Sequence, residues 1–128
     1  MIVVDCSIVV DAMVGADAEE IGKRLEVERL VAPSLLDFEF LSAIRGLTLG
    51  GQVSEHRARD LLHDFDRLPV TRWGFAGDLR ARAFDLRHSI SAYDASYVVL
   101  AEALECPLLT RDRRLAKAAK ELVEVIVV

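Results

Sequence analysis

Four acidic residues occupy positions where an acid is either costly or specially placed: Asp5, Glu39, Asp94 and Asp112. Asp5 closes the short β-branched run Ile2-Val3-Val4. That places it at the carboxyl end of a strand, the edge at which open α/β sheets bind ligands. Asp112 follows Leu108-Leu109-Thr110 in the same way. Glu39 falls in a helical pattern where Leu36, Phe40, Ala43 and Leu47 surround it, so its carboxylate is expected on the buried stripe, and buried carboxylates are paired or bind metal. Asp94 begins a run from Ala95 to Leu104 that is apolar nearly all round and therefore central. Each acid also has an ordinary reading. Asp5 and Asp112 could cap the helices that follow them, and Ser91 with Asp94 has the spacing of a capping box. If the strands are parallel, however, all four acids converge on one sheet edge. Carboxylates gathered in this way repel unless neutralised, and as hard oxygen ligands they suit Mg²⁺ or Mn²⁺. A site that holds such ions with open coordination positions is chemistry for phosphodiesters, so hydrolysis of a nucleic-acid backbone is the expectation.

The elements that must position these acids alternate along the chain. Short strands are expected at Ile2 to Val4, Leu30 to Ala32, Val70 to Arg72, Leu108 to Thr110 and Val123 to Val128. Between them the pattern is helical. Ser7 is placed to cap a helical stretch that runs to Arg29 and breaks near Gly15. Ser34 and Asp37 form a capping-box pair for a helix that ends at Gly50-Gly51. Further helices are expected from His56 to Arg67, Phe75 to Arg87, Ser91 to Leu104 and Asp112 to Lys120. Strands alternating with helices require crossover connections, hence an α/β fold: a mostly parallel sheet covered on both faces. No repeat, low-complexity tract or long linker divides residues 1–128, and one domain is expected.

Composition bounds the partners. With 52% hydrophobic residues the chain can build a core without disulfides, and its two cysteines, Cys6 and Cys106, show neither zinc spacing nor a secreted framework. Because they sit at opposite ends of the expected strands, they are expected to remain unpaired. No signal-peptide pattern opens the chain, and the apolar stretch Ala92 to Leu104 is shorter than the ~20 residues of a membrane span. A soluble, cytoplasmic protein is therefore the expectation. A net charge of −5 argues against a long basic groove for nucleic acid, so any polyanion must be held locally. Arg111, Arg113 and Arg114, beside Asp112, are the best local basic patch and the candidate substrate contacts. His56, His63 and His88 have no second imidazole at ligand spacing and read as exposed residues. Trp73 and Phe75 read as core or dimer-contact residues.

The stretches Met1-Ile2-Val3-Val4-Asp5-Cys6-Ser7, Leu35 to Leu41 around Glu39, Tyr93-Asp94-Ala95-Ser96-Tyr97 and Leu108-Leu109-Thr110-Arg111-Asp112 resemble the successive signatures of PIN-domain ribonucleases. In order and size they are similar to the VapC toxins of bacterial type II toxin–antitoxin pairs. Cys6 stands where alanine, serine or threonine is more usual, and arginines rather than further acids surround Asp112. The resemblance implies a parallel sheet of order 3-2-1-4-5 and a Mg²⁺-dependent endoribonuclease, with Mn²⁺ able to substitute. Asp5 and Asp94 would be the principal metal ligands, with Glu39 and Asp112 supporting, and Ser7 and Thr110 would hydrogen-bond carboxylates or metal water. It also implies a homodimer and a cognate VapB-type antitoxin, whose tail would cover an apolar surface formed by Val9, Val10, Met13, Val14, Ile21 and Leu25. Three rivals stand beside this reading: a housekeeping nuclease without an antitoxin, a non-catalytic RNA-binding module of the same fold, and phosphoryl transfer through an aspartyl-phosphate at Asp5. The last is disfavoured, since no second acid lies two residues beyond Asp5.

Overall fold

A computed structural model describes residues 1–128. In chain order the elements are β1 (Ile2–Val4), α1 (Cys6–Val14), α2 (Ala18–Glu26), β2 (Leu30–Pro33), α3 (Leu35–Leu49), α4 (Glu55–Asp66) and β3 (Val70–Trp73). They continue with α5 (Asp78–Asp85), α6 (Ala92–Leu104), β4 (Leu108–Thr110), α7 (Arg113–Ala119) and β5 (Val125–Val127). The five strands form one sheet in the order β3-β2-β1-β4-β5, and every neighbouring pair is parallel.

β1 is the middle strand because its side chains can be buried on both faces. Successive strand residues point to opposite faces, and Ile2, Val3 and Val4 are all buried, so helices must cover both sides. From β1 the chain builds outward through β2 to β3, then returns to build β4 and β5 on the other side. The direction of building reverses between β1 and β4, which opens a crevice beyond the carboxyl ends of those two strands. The two strands are locked together up to that edge, where the Asp5 N–H donates to the Leu109 carbonyl at 3.1 Å. Helix α6 packs on β1, β2 and β4 and is buried continuously from Ala95 to Ala101, so a helix apolar all round sits where its pattern requires.

Several local expectations fail for identifiable reasons. Ser7 does not cap α1. Asp5 holds the N-cap position, and Ser7 lies inside the helix with its hydroxyl turned back to the Asp5 carboxylate. Ser34 and Asp37 do not form a capping box: the Ser34 backbone is helical (φ −57°, ψ −20°) rather than extended, and the Asp37 carboxylate pairs with Arg72 of β3 at 3.0 Å. Helix α5 is shorter than its amphipathic pattern suggests. Gly77 adopts φ 58°, which is not helical, and the helix starts only at Asp78. Trp73 lies at the end of the edge strand β3 and is exposed rather than in the core. The apolar surface expected around α1 and α2 is narrower than anticipated, since Val9, Ile21 and Leu25 are buried in the core. What remains is a cavity of about 180 Å³ lined in part by Ala12, Met13 and Leu68. Cys6 and Cys106 are both free thiols. No helix is long and apolar enough to cross a membrane.

Candidate active site

Asp5 is the hub of the crevice. Its Oδ2 accepts two hydroxyl protons, from Thr110 Oγ1 at 2.7 Å and from Ser7 Oγ at 2.9 Å. Each hydroxyl in turn accepts a backbone N–H from the turn after β4: Asp112 N donates to Thr110 at 2.9 Å, and Arg111 N to Ser7 at 3.2 Å. The two hydroxyls are thereby oriented, with their protons committed to one oxygen of Asp5. Thr110 is fully buried at the end of β4, while Ser7 sits in the first turn of α1. Two elements far apart in sequence thus fix one carboxylate.

The other acids each project from a different element. Glu39 projects from α3 and is half-buried, with Oε1 accepting a 2.6 Å hydrogen bond from the Tyr97 hydroxyl of α6. Tyr97 is among the largest fully buried side chains, and its role was not read from the sequence. A signal existed: a phenol on a helix buried all round must find an acceptor. Asp94 lies at the start of α6, where Ser91 Oγ accepts its backbone N–H at 3.2 Å, so half of the expected capping box forms. The Asp94 carboxylate faces the other acids, with Arg114 Nη2 of α7 3.8 Å from its Oδ2. Asp112 does cap α7, accepting Leu115 N–H on Oδ1 at 3.0 Å. The capping reading and the site reading therefore hold together at that residue.

Charge links these groups. Burial first, then the charges of Asp5 and Asp94, push the Glu39 carboxyl up, while the Tyr97 hydrogen bond opposes the shift. Asp94 is raised by burial, then by Asp5 and Asp112, with Arg114 and the Ser91 hydroxyl beside its carboxyl pulling it down. Burial, with Glu39 and Asp5 nearby, pushes the Cys6 thiol up to about 12. Burial, then the hydrogen bond to Glu39, raises the Tyr97 phenol, which stays a protonated donor. The acids repel one another and only the exposed Arg114 answers them.

A tightly closed quartet does not form, since no three His, Cys, Asp or Glu side chains are grouped closely enough to cage an ion. Asp5, Glu39 and Asp112 each commit one oxygen to a hydrogen bond within the fold. The donor set nevertheless fits a hard divalent cation. Mg²⁺ binds through one or two carboxylates and keeps several waters, so it needs no protein cage, and its charge would relieve the repulsion that raises Glu39 and Asp94.

The arginines divide. Arg111, expected to contact substrate, is instead held by Asp11 at 3.1 Å and Asp17 at 3.4 Å, which ties the turn after β4 to α1 and to the residues before α2. Arg113 is exposed at the start of α7, and Arg114 reaches Asp94. The three histidines are exposed, as expected.

Residues 2–121 match the family model of the PIN domain. The chain belongs to the PIN-domain family. All four acids lie within the matched residues, as do Ser7, Tyr97 and Thr110. Among its PIN-domain relatives, "Ribonuclease VapC1" of Mycobacterium tuberculosis is 42% identical over 118 residues, covering 91% of this chain and 89% of that protein. "Ribonuclease VapC9" of the same organism is 39% identical over 129 residues, covering 100% of this chain and 98% of its own length. Among solved structures, VapBC2 from Rickettsia felis, bound to a promoter DNA fragment, matches with a TM-score of 0.69 at 14% identity. The match covers 99% of this chain and 98% of that one, and it speaks to the fold alone.

Proposed function

We propose that this chain is a metal-dependent endoribonuclease that acts as the toxin of a VapBC-type toxin–antitoxin pair. The observation that carries the reading is the convergence of Asp5, Glu39, Asp94 and Asp112 on the crevice between β1 and β4, in a PIN domain whose relatives include proteins named as VapC ribonucleases. Asp5 and Asp94 would hold the ion, Mg²⁺ or Mn²⁺, with Glu39 and Asp112 supporting. When bound, such an ion supplies charge neutralisation for the phosphate and makes water a stronger acid.

The chain's own residues supply the rest. Ser7 and Thr110 hold Asp5 in one orientation, so no reorganisation is needed when the phosphate arrives. Tyr97 holds Glu39 in place by its hydrogen bond, and Glu39 positions the attacking water. Hydrolysis adds the water oxygen to phosphorus and releases a ribose oxygen, which takes a proton. Arg113 and Arg114 are exposed beside the site, Arg114 at 3.8 Å from Asp94, and both would meet the RNA backbone. The remaining members of the assembly would be a second copy of this chain and a VapB-type antitoxin, the latter with an apolar segment in the cavity beside Ala12, Met13 and Leu68.

The test is incubation of the purified protein with a panel of structured RNAs in Mg²⁺, in Mn²⁺ and in chelator. Cutting is expected only with metal, and Asp94→Asn is expected to lower it at least a hundredfold. Equal cleavage by Asp94→Asn, or cleavage in chelator, would overturn the assignment of the site.

A further inference from the structure

Arg111 stands next to Asp112, yet its side chain pairs with none of the four acids of the site. Its Nε lies 3.1 Å from Asp11 Oδ2, and Nη1 and Nη2 both donate to Asp17 Oδ2 at 3.4 Å. The backbone N–H of the same residue has a different partner, the Ser7 hydroxyl oxygen, at 3.2 Å. Ser7 and Asp11 are one helical turn apart on α1 and share a face of that helix. One face of α1 therefore receives Arg111 twice, through its backbone and through its guanidinium.

The consequence reaches Asp5. The turn Thr110-Arg111-Asp112 supplies both N–H groups that orient the hydroxyls of Thr110 and Ser7, and both hydroxyls donate to Asp5 Oδ2, at 2.7 and 2.9 Å. The Thr110 half of this arrangement is held by the sheet, where Thr110 is in register with Val127 of β5. The Ser7 half is not. Its donor, Arg111, is the first residue beyond β4, so the side chain of Arg111 is what docks that N–H against α1. Arg111 and Asp17 also line a cavity of about 320 Å³, so the pair borders open space, and charge more than packing holds it.

We propose that Arg111 is a positioning residue for the metal site: its ion pairs with Asp11 and Asp17 hold the turn after β4 so that its N–H keeps the Ser7 hydroxyl on Asp5, which raises affinity for the divalent ion. The proposal rests on the metal-dependent reading above, and it replaces the role of substrate contact that the sequence suggested for Arg111. A hydrogen-bond partner behind a metal ligand fixes the ligand's orientation, and losing one weakens metal binding by roughly ten- to a hundredfold. Arg111 acts one bond further out than Ser7. The lower end of that range is therefore expected.

The test is Mn²⁺ binding to the metal-stripped protein, followed by isothermal titration without RNA, with thermal melting of the metal-free chain measured alongside. Arg111→Met, which removes the charged fork and keeps much of the stem, should bind Mn²⁺ about tenfold more weakly. Asp11→Asn should act in the same direction, and it gives the same comparison should Arg111→Met not fold. Arg111→Lys, with a point charge in place of a planar fork, should lose less. Because the effect passes through Ser7, adding Arg111→Met to Ser7→Ala should weaken binding by less than about twofold further. Cleavage by Arg111→Met should need more Mn²⁺ yet reach the parent kcat and KM for RNA once the metal saturates. Unchanged Mn²⁺ affinity in both Arg111→Met and Asp11→Asn overturns the proposal, and if melting temperature alone falls, the clamp supports only the fold. A full tenfold loss in the Ser7→Ala background removes the route through Ser7. A raised KM for RNA with Mn²⁺ affinity unaltered returns Arg111 to substrate binding. The ribonuclease reading fails in a different way: a parent protein that binds Mn²⁺ but leaves every RNA uncut ends that reading and leaves the clamp standing, whereas a parent that binds no Mn²⁺ overturns both.

Discussion

The Thr110 hydroxyl serves two partners at once, donating to Asp5 and accepting from the Asp112 N–H, in a position with no access to solvent. Thr110→Val keeps the shape and removes both bonds. Urea unfolding should show a loss of about 1–3 kcal/mol, the cost of leaving the Asp112 amide without its partner and Asp5 Oδ2 with only the Ser7 bond. Cleavage should fall as well, because Asp5 is no longer held; unchanged stability would mean that water replaces the hydroxyl. Glu39 behaves in the opposite sense. Its carboxyl is raised above the ordinary 4.5, chiefly by burial, so the folded chain holds that proton more tightly than the unfolded chain does. Below the unfolded value both states are protonated and the residue costs nothing. As pH rises through the folded value the carboxylate forms in a place that disfavours it, and stability falls. In chelator, Glu39→Gln should therefore melt above the parent by a margin that widens as pH rises above the ordinary carboxyl value of 4.5. A margin that stays constant with pH would exclude the Glu39 charge as its source. Activity of Glu39→Gln should fall steeply at every pH.

The helices show where local sequence rules hold and where packing replaces them. Ser54 and Ser91 cap α4 and α6 as their positions suggest, each hydroxyl accepting the N–H three residues on. Ser34 does not: its backbone is already helical, at φ −57° and ψ −20°, where Ser54 and Ser91 are extended. The start of α5 is set by backbone conformation. Gly77 has φ 58° and ψ −125°, a region that residues with a Cβ rarely enter, although a methyl group there would meet no neighbouring atom. Gly77→Ala isolates the conformational cost and should destabilise the protein by about 1–3 kcal/mol. Thermal melting measures it; an unchanged melting temperature would show that the segment before α5 relaxes to another conformation.

For the molecule as a whole, parallel topology does the sorting. Every strand runs the same way, so Asp5 and the Thr110–Asp112 turn share one edge, while Cys106, in the loop leading to β4, lies at the other. Cys6, at the start of α1, is on the acid-bearing side and has its thiol raised to about 12 by burial and by Glu39 and Asp5; burial also raises Cys106. Both thiols should therefore react slowly with alkylating reagents at neutral pH in the folded protein. Unfolding without reductant should release two titratable thiols. None would mean that the two edges had been bridged, which the sheet forbids.

Much of this was legible in the chain. β-branched runs closed by an acid, a helix apolar all round and serines before helical patterns specify strands, a central helix and caps through interactions of residues close in sequence. The resemblance of four ordered motifs added the strand order and pointed to the same four acids that the strand ends and helical pattern had singled out. Other features depend on residues brought together from far apart, and periodicity cannot encode such pairings. The Tyr97 bond to Glu39 spans 58 positions and the Thr110 bond to Asp5 spans 105. Arg111 reads as a substrate contact from its neighbours, yet the fold delivers Asp11 and Asp17 to it from α1 and the residues before α2. The same holds for the spacing of the acids. Sequence indicates that they share an edge, but only the tertiary structure decides that Asp5, Glu39 and Asp112 each commit an oxygen to a hydrogen bond within the fold, and that no three of the acids are grouped closely enough to cage an ion unaided.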